Sequence, residues 1–248
     1  MLTEKPWRPY AVVQLALELF ISICLGSLLV ASLNYLLPKA PTDYQKLYSM
    51  VIWAVSFYGV ALVLIARFLR EHELGWGGAF GFASRNWIIS ISLGILAIAL
   101  TLRITQWLGN LSHLGWQWLS QEFHTKLIEP ELQPLLKHLQ TRLPWPHTVF
   151  YGLASIVMAP VAEELLFRGL LYPTIKQNGH PRLAWVVSSI IFALVHFNLM
   201  AVLPLTFLAV ILTLLYEFTG NLIAPITTHS LFNAVNFFLL LQQTRPSG

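Results

Sequence analysis

Two adjacent glutamates lie within a strongly apolar stretch of the chain. Glu163 and Glu164 are preceded by Met-Ala-Pro-Val-Ala and followed by Leu-Leu-Phe and then Arg168. A carboxylate in hydrocarbon costs about 3 kcal/mol or more, so an ionisable pair in such a segment indicates a functional site. On a helix, Glu164 and Arg168 are four residues apart in the acid-before-base order that favours an ion pair. That pair explains Glu164 and leaves Glu163 available as a base.

Two histidines and an asparagine follow on later apolar segments. His196 ends the run Phe192-Ala-Leu-Val-His, and its imidazole could act as a base, as a ligand or simply as a satisfied core residue. His229 and Asn233 are four residues apart and share one helix face. They could stabilise a developing oxyanion, or form interhelical hydrogen bonds worth about 0.6 kcal/mol in membrane bundles.

Together these side chains could activate a water molecule. Carboxylate and imidazole do so by general-base action or by holding a metal ion. The sequence contains no HExxH motif, no phosphate-binding glycine loop and no serine-triad pattern that would suggest another mechanism.

The composition indicates that membrane helices must position these groups. Of 248 residues, 56% are hydrophobic and only 10% are charged, whereas soluble domains carry about a quarter charged residues. The net charge of +4 is scattered through short loops, so we expect topology signals and no nucleic-acid partner. We predict an integral, multi-pass membrane protein whose surroundings are the lipid bilayer.

Seven apolar segments predict an all-α transmembrane helix bundle, since a helix crosses the bilayer with roughly 20 residues. The segment 183–197 spans only about 22 Å and is expected to end inside the protein. Residues 109–146 are expected to form an interfacial amphipathic connection broken near Pro130, Pro134 and Pro144. We therefore divide the chain into residues 1–146 and a catalytic core, 147–242, formed by the last four segments. The seven segments are 11–37, 47–68, 87–108, 149–175, 183–197, 200–218 and 222–241.

Depth in the membrane is the main difficulty for a shared site. At 1.5 Å per residue, Glu163 and His196 lie about 21 and 20 Å from the face that carries Gln177, but His229 lies only about 10 Å from it. The three converge only if the last helix begins deeper or the helices tilt. A common site requires separations well under about 10 Å, because catalytic groups act within hydrogen-bond reach or through one water.

The order of these motifs resembles a known family, the CAAX proteases and bacteriocin-processing enzymes, also called abortive-infection-type intramembrane proteases. That family is marked by EExxxR, FxxxH and HxxxN/D motifs in successive membrane helices. This chain has them at 163–168, 192–196 and 229–233, and the resemblance covers about residues 149–241.

The resemblance implies an intramembrane endopeptidase that cuts a membrane-associated protein or peptide, by CAAX-type processing or by bacteriocin or peptide maturation. Its location would be a bacterial cell membrane. A proton-coupled transporter and a non-catalytic scaffold remain alternatives, and the oligomeric state stays open.

The resemblance also implies a role for each motif residue. The expected catalytic set is Glu163 and His196 for water activation, with His229 and Asn233 as the oxyanion site, while Glu164 and Arg168 order the pocket. Such enzymes have been described both as metalloproteases and as metal-independent glutamate proteases. If a divalent metal such as zinc is bound, three of these residues would supply its ligands: Glu163, His196 and His229. Because a base and an oxyanion site are already present, we favour a mechanism without a cofactor.

Overall fold

The computed structural model describes residues 5–38, 41–83, 86–123 and 144–243, and within them the regular structure is entirely helical. Six of the helices are long and apolar enough to cross a membrane, and a seventh apolar helix is shorter. The prediction of an all-α, multi-pass membrane protein is therefore confirmed. We number the helices α1 (Pro9–Leu36), α2 (Thr42–Glu71), α3 (Trp76–Phe80), α4 (Trp87–Glu122), α5 (Trp145–Gln177), α6 (Pro181–Leu194), α7 (Val202–Thr219) and α8 (Ile223–Gln243).

Contacts between helix ends define two faces of the bundle. On the first face, the Lys5 backbone N–H donates to Gln177 Oε1 at 3.0 Å, and Lys5 Nζ donates to the Ala79 carbonyl at 2.6 Å. On the second face, His147 Nε2 lies 3.1 Å from the Asp43 carbonyl, which joins the beginnings of α2 and α5. We call these the first face and the second face below.

Helix α4 continues beyond the predicted apolar segment 87–108, to Glu122. Gly109 and Asn110 end the apolar run without ending the helical backbone. Hydropathy therefore predicted the end of the apolar segment but not the end of the helix. At 36 residues, α4 is about 54 Å long, against a hydrocarbon thickness of about 30 Å. The expected breaks at Pro130 and Pro134 lie outside the described residues, whereas Pro144 immediately precedes α5 as expected.

The first part of the chain packs tightly against the last helix. Thr228 Oγ1 donates to the Gly94 carbonyl at 3.0 Å, and a Cβ on Gly94 would lie 2.8 Å from the Ala224 carbonyl oxygen. Only glycine permits that approach of α4 to α8. The division of the chain at residue 146 stays a prediction.

The beginning of α8 lies inside the protein rather than at its surface. Asn221 and Leu222 are fully buried, and the Leu222 backbone N–H donates to the Phe80 carbonyl at 3.0 Å. A Cβ on Gly169 would lie 3.4 Å from Leu222 Cδ1, so α8 begins level with Gly169 of α5. From that level, Glu163 lies six residues back along α5, a distance of about 9 Å. His229 lies seven residues onward along α8, a distance of about 10 Å. The buried beginning of α8 therefore brings both side chains to one depth.

Candidate active site

Glu163 has two imidazole nitrogens close to one of its carboxylate oxygens. Its Oε2 lies 3.8 Å from Nε2 of His196 and 3.8 Å from Nε2 of His229. These separations are far below the limit of about 10 Å for a shared site. Glu163 Oε2 is buried, and it makes no hydrogen bond with the residues that the structure describes. The structure therefore joins α5, α6 and α8 at this oxygen, which keeps an acceptor position for another molecule.

The orientation of His196 follows from its place at the end of α6. Its Nδ1 lies 2.7 Å from the Phe192 carbonyl oxygen. A carbonyl only accepts, so Nδ1 carries the proton, and in the neutral ring Nε2 presents a lone pair to Glu163. The distance of 3.8 Å exceeds that of a direct hydrogen bond, and a separation of this size suits one bridging water.

Glu164 lies at the centre of a second, fully enclosed set of contacts. Its Oε1 accepts from Arg168 Nη1 at 2.8 Å and lies 2.8 Å from His229 Nδ1. Arg168 Nη2 also donates to the Ala209 carbonyl of α7 at 3.0 Å. The side chains of Glu164, Arg168 and His229 are 0%, 2% and 3% exposed. The ion pair expected from the four-residue spacing is present, and it also holds His229.

The imidazole of His229 is shared by the two glutamates. Glu163 and Glu164 leave α5 in different directions, yet each approaches a different nitrogen of this one ring. With His229 protonated, its charge and that of Arg168 balance the two carboxylates. Nδ1 donates to Glu164, because a carboxylate only accepts, and a doubly protonated ring would also present an Nε2–H towards Glu163.

Asn233 lies one turn beyond His229 on α8. Its Nδ2 donates to the Ser155 carbonyl at 2.8 Å, within a π-helical turn of α5, Ala154–Met158. A primary amide has two N–H groups, so this bond fixes the side chain and leaves a second donor. The structure thus brings Glu163, His196 and His229 together directly, and it ties Asn233, one turn beyond His229, to the α5 backbone at Ser155.

The site is closed on one side and accessible on the other. The Arg168 side is sealed, whereas the Glu163 and His196 side chains are 14% and 23% exposed. His196 lies just beyond the end of α6, which starts at the first face and runs about 21 Å into a hydrocarbon layer about 30 Å thick. His196 therefore lies nearer the second face than the first.

Tyr58 of α2 is a site neighbour that the sequence did not reveal. Its phenol lies within electrostatic range of the Glu163 carboxylate. It belongs to a π-helical turn, Val55–Gly59, and such turns are frequent at functional sites. The only local signal in the sequence is a tyrosine among apolar residues, which is too common to identify a site.

The donor atoms of the site include types that zinc accepts, namely one carboxylate and two imidazoles. Among the described residues, however, no group of three His, Cys, Asp or Glu side chains has the arrangement of a metal site. Glu163, His196 and His229 therefore do not form a ready-made metal-binding geometry, and the mechanism below uses no step through a metal.

Comparison with known proteins gives matches in the same part of the chain. Residues 145–235 match a family model described as type II CAAX prenyl endopeptidase Rce1-like. The family resemblance inferred from the three motifs is thus confirmed over this segment. No solved structure gave a significant match.

Three bacterial proteins are similar over a comparable length. "Uncharacterized protein YpbD" of Bacillus subtilis (strain 168) is 36% identical over 94 residues, which are 36% of this chain and 43% of that protein. "Putative membrane peptidase YdiL" of the same organism is 28% identical over 94 residues, 38% of this chain and 37% of that protein. "UPF0177 protein YxdF" of Lactococcus lactis subsp. lactis (strain IL1403) is 35% identical over 83 residues, 33% and 44% of the two chains. The chain thus matches less than half the length of each relative.

Proposed function

We propose that this chain, whose residues 145–235 have the sequence of an Rce1-like endopeptidase segment, is an intramembrane endopeptidase. Its substrate would be a membrane-associated protein or peptide, and the family description favours CAAX-type processing over bacteriocin or peptide maturation. The observation that carries the proposal is the position of Glu163 Oε2, 3.8 Å from the Nε2 atoms of two histidines on separate helices. Since the three named relatives are bacterial, we place the protein in a bacterial cell membrane.

The first step is the activation of water by Glu163 and His196. A water between Glu163 Oε2 and His196 Nε2 can donate one hydrogen to each, because both atoms are acceptors in the arrangement described above. The oxygen lone pair then remains for attack on the substrate carbonyl carbon. Glu163 takes the transferred proton as general base, a contribution typically worth about 10²–10⁴ in rate.

The second step is the stabilisation of the oxyanion that forms when the carbonyl π electrons move to oxygen. His229 in its imidazolium form presents an Nε2–H on the side that faces Glu163. Asn233 offers its second amide N–H beside it. Removal of one such donor typically costs about 10²–10³ in kcat.

The third step breaks the carbon–nitrogen bond. The protonated Glu163 returns its proton to the departing amine nitrogen, so that a carboxylic acid and an amine are released and the base is regenerated. Glu164 and Arg168 are proposed to act through His229, because Glu164 accepts from both of them. They are positioning residues and do not contact the reacting bond.

The experiment is a comparison of membrane-proteome termini in cells that express the active protein or Glu163→Gln. We expect new termini with the active protein and none with Glu163→Gln or His196→Ala. Glu217→Gln is the matched control, because Glu217 is also a partly buried acid, 20% exposed, but it pairs with Lys176 instead of the site histidines. It should leave the termini unchanged.

The same variants separate the competing functions. Proton-coupled flux in liposomes that requires Glu163, without any cleavage, would show a transporter instead. If Glu163→Gln changes neither the protein termini nor the proton flux, the remaining function is that of a non-catalytic scaffold. A chelator added to the cleavage assay tests the metal alternative, in which Glu163, His196 and His229 bind a divalent ion such as zinc. We expect no loss of cleavage.

A further inference from the structure

The Phe192 ring lies in the middle of the site, in contact with charged and catalytic groups on three helices. It is fully buried. The Arg168 guanidinium carbon lies 4.5 Å from its centroid, and the His196 and His229 rings lie 4.9 and 5.7 Å away. Phe167 packs edge-on against it at 5.1 Å.

The electrostatics of this ring suit its neighbours. The face of a benzene ring is negative, so a guanidinium placed over it is attracted, and most strongly where water is excluded. Arg168 is 2% exposed, which meets that condition. Because Arg168 holds Glu164 and Glu164 holds His229, any force that fixes the guanidinium also fixes the imidazole.

The chain contains a natural comparison for this arrangement. Phe68, in the last turn of α2, and His72, just after that helix, repeat the F-x-x-x-H spacing. His72 Nδ1 lies 2.8 Å from the Phe68 carbonyl oxygen. Phe68 is 3% exposed, and its ring stacks on His72 at 4.3 Å. Among the described residues, no guanidinium or ammonium group lies over the Phe68 ring. The F-x-x-x-H spacing alone therefore places the histidine Nδ1 at the phenylalanine carbonyl. The guanidinium over the ring distinguishes Phe192 from Phe68.

We propose that Phe192 is a positioning residue whose negative ring face holds Arg168, and through it Glu164 and His229, in the reactive arrangement. Phe192 also holds His196, because its backbone carbonyl accepts from His196 Nδ1 and its ring packs on the imidazole. The kinetic part of this inference rests on the proposed endopeptidase function.

Fluorinated phenylalanines test the ring electrostatics with little change of shape. Incorporation of 4-fluoro-, 3,5-difluoro- and 3,4,5-trifluorophenylalanine at position 192 weakens the negative face in steps. We expect kcat for cleavage to fall in the same steps, by about tenfold or more for the trifluoro ring, with KM within about twofold. The same series at position 68 should change neither value by more than about twofold.

A second readout does not depend on cleavage. In nitrogen-15 spectra of protein with labelled histidines, the signals of His196 and His229 should shift with the series at 192 and not with the series at 68. Their assignments come from the spectra of His196→Ala and His229→Ala.

The outcomes separate the two proposals. Cleavage that depends on Glu163 but is equal for all rings at 192, with unshifted histidine signals, would overturn the role of Phe192 and leave the function intact. Graded histidine shifts in a protein that cleaves nothing would support the role of the ring and overturn the endopeptidase proposal. An equal response at 68 and 192 would show that fluorine acts by packing and would overturn the inference.

Discussion

Removal of either member of the Glu164–Arg168 pair should destabilise the protein strongly, and removal of both should cost less than removal of one. The pair is joined at 2.8 Å with 0% and 2% of the side chains exposed, so neither group can turn to water when its partner is lost. Breaking a buried pair from one side costs about 3–5 kcal/mol, because a charge remains unpaired. We expect this cost for Glu164→Gln and again for Arg168→Met.

The double variant is the decisive measurement. If the cost comes from the unpaired charge, Glu164→Gln with Arg168→Met should lose less than either single variant, about 2 kcal/mol or less, and far less than the additive sum of about 6–10 kcal/mol. The assay is the free energy of unfolding in mixed micelles for all four proteins, together with kcat. Cleavage should remain low in the double variant, since His229 has lost its carboxylate partner.

An exposed ion pair provides the control cycle. Arg67 and Glu18 pair across α1 and α2 with 45% and 28% of their side chains exposed. Their single and double variants, Arg67→Met and Glu18→Gln, should each change stability by less than about 1 kcal/mol. Additive losses at Glu164 and Arg168 would refute the idea that these two residues act as one charge-neutral unit.

Three further predictions concern other parts of the molecule. Gly169→Ala would place a Cβ 2.6 Å from the buried Phe80 ring and should cost about 1–3 kcal/mol of unfolding free energy. Tyr58→Phe should lower kcat about fivefold, the equivalent of an electrostatic interaction of about 1 kcal/mol between its hydroxyl and the Glu163 carboxylate, without a change in unfolding; an unchanged kcat would contradict it. Burial lowers the pKa of Lys5 below 10.5, so between that lowered value and 10.5 the unfolded chain binds more protons and stability should rise with pH. When the free energy of unfolding is measured across this pH range, the Lys5→Met variant should not show this rise in stability.

Hydropathy and motif spacing together predicted most of the helical architecture and the local pairing of Glu164 with Arg168. The segments that became α1, α2 and α5 were located within a few residues, because long apolar runs must be helical in a membrane. The extent of α4 beyond residue 108 could not be obtained from hydropathy, since Gly109 and Asn110 end the apolar run without ending the helical backbone. The pairing of Glu164 with Arg168 is local, so the four-residue spacing was sufficient.

The meeting of the three helices could not be obtained from the sequence. Counting residues from the surface placed His229 too shallow, because burial of Asn221 and Leu222 depends on contacts with α3 and α4 far away in the chain. The same holds for Tyr58, whose approach to Glu163 depends on how α2 packs. These contacts depend on packing between helices that are far apart in the sequence, and hydrophobic periodicity does not predict such packing.

The partial exposure of the site bears on where products would appear if the chain cleaves peptides as proposed. Arg168 is sealed, whereas Glu163 and His196 are partly exposed, and His196 lies nearer the second face. On the proposed function, we expect the new ends to be released into the compartment that bathes that face. Lys5 lies at the first face, so a tag fused before it reports the opposite compartment. Measuring the topology of one tag would therefore identify which population of membrane proteins the proposed endopeptidase could reach.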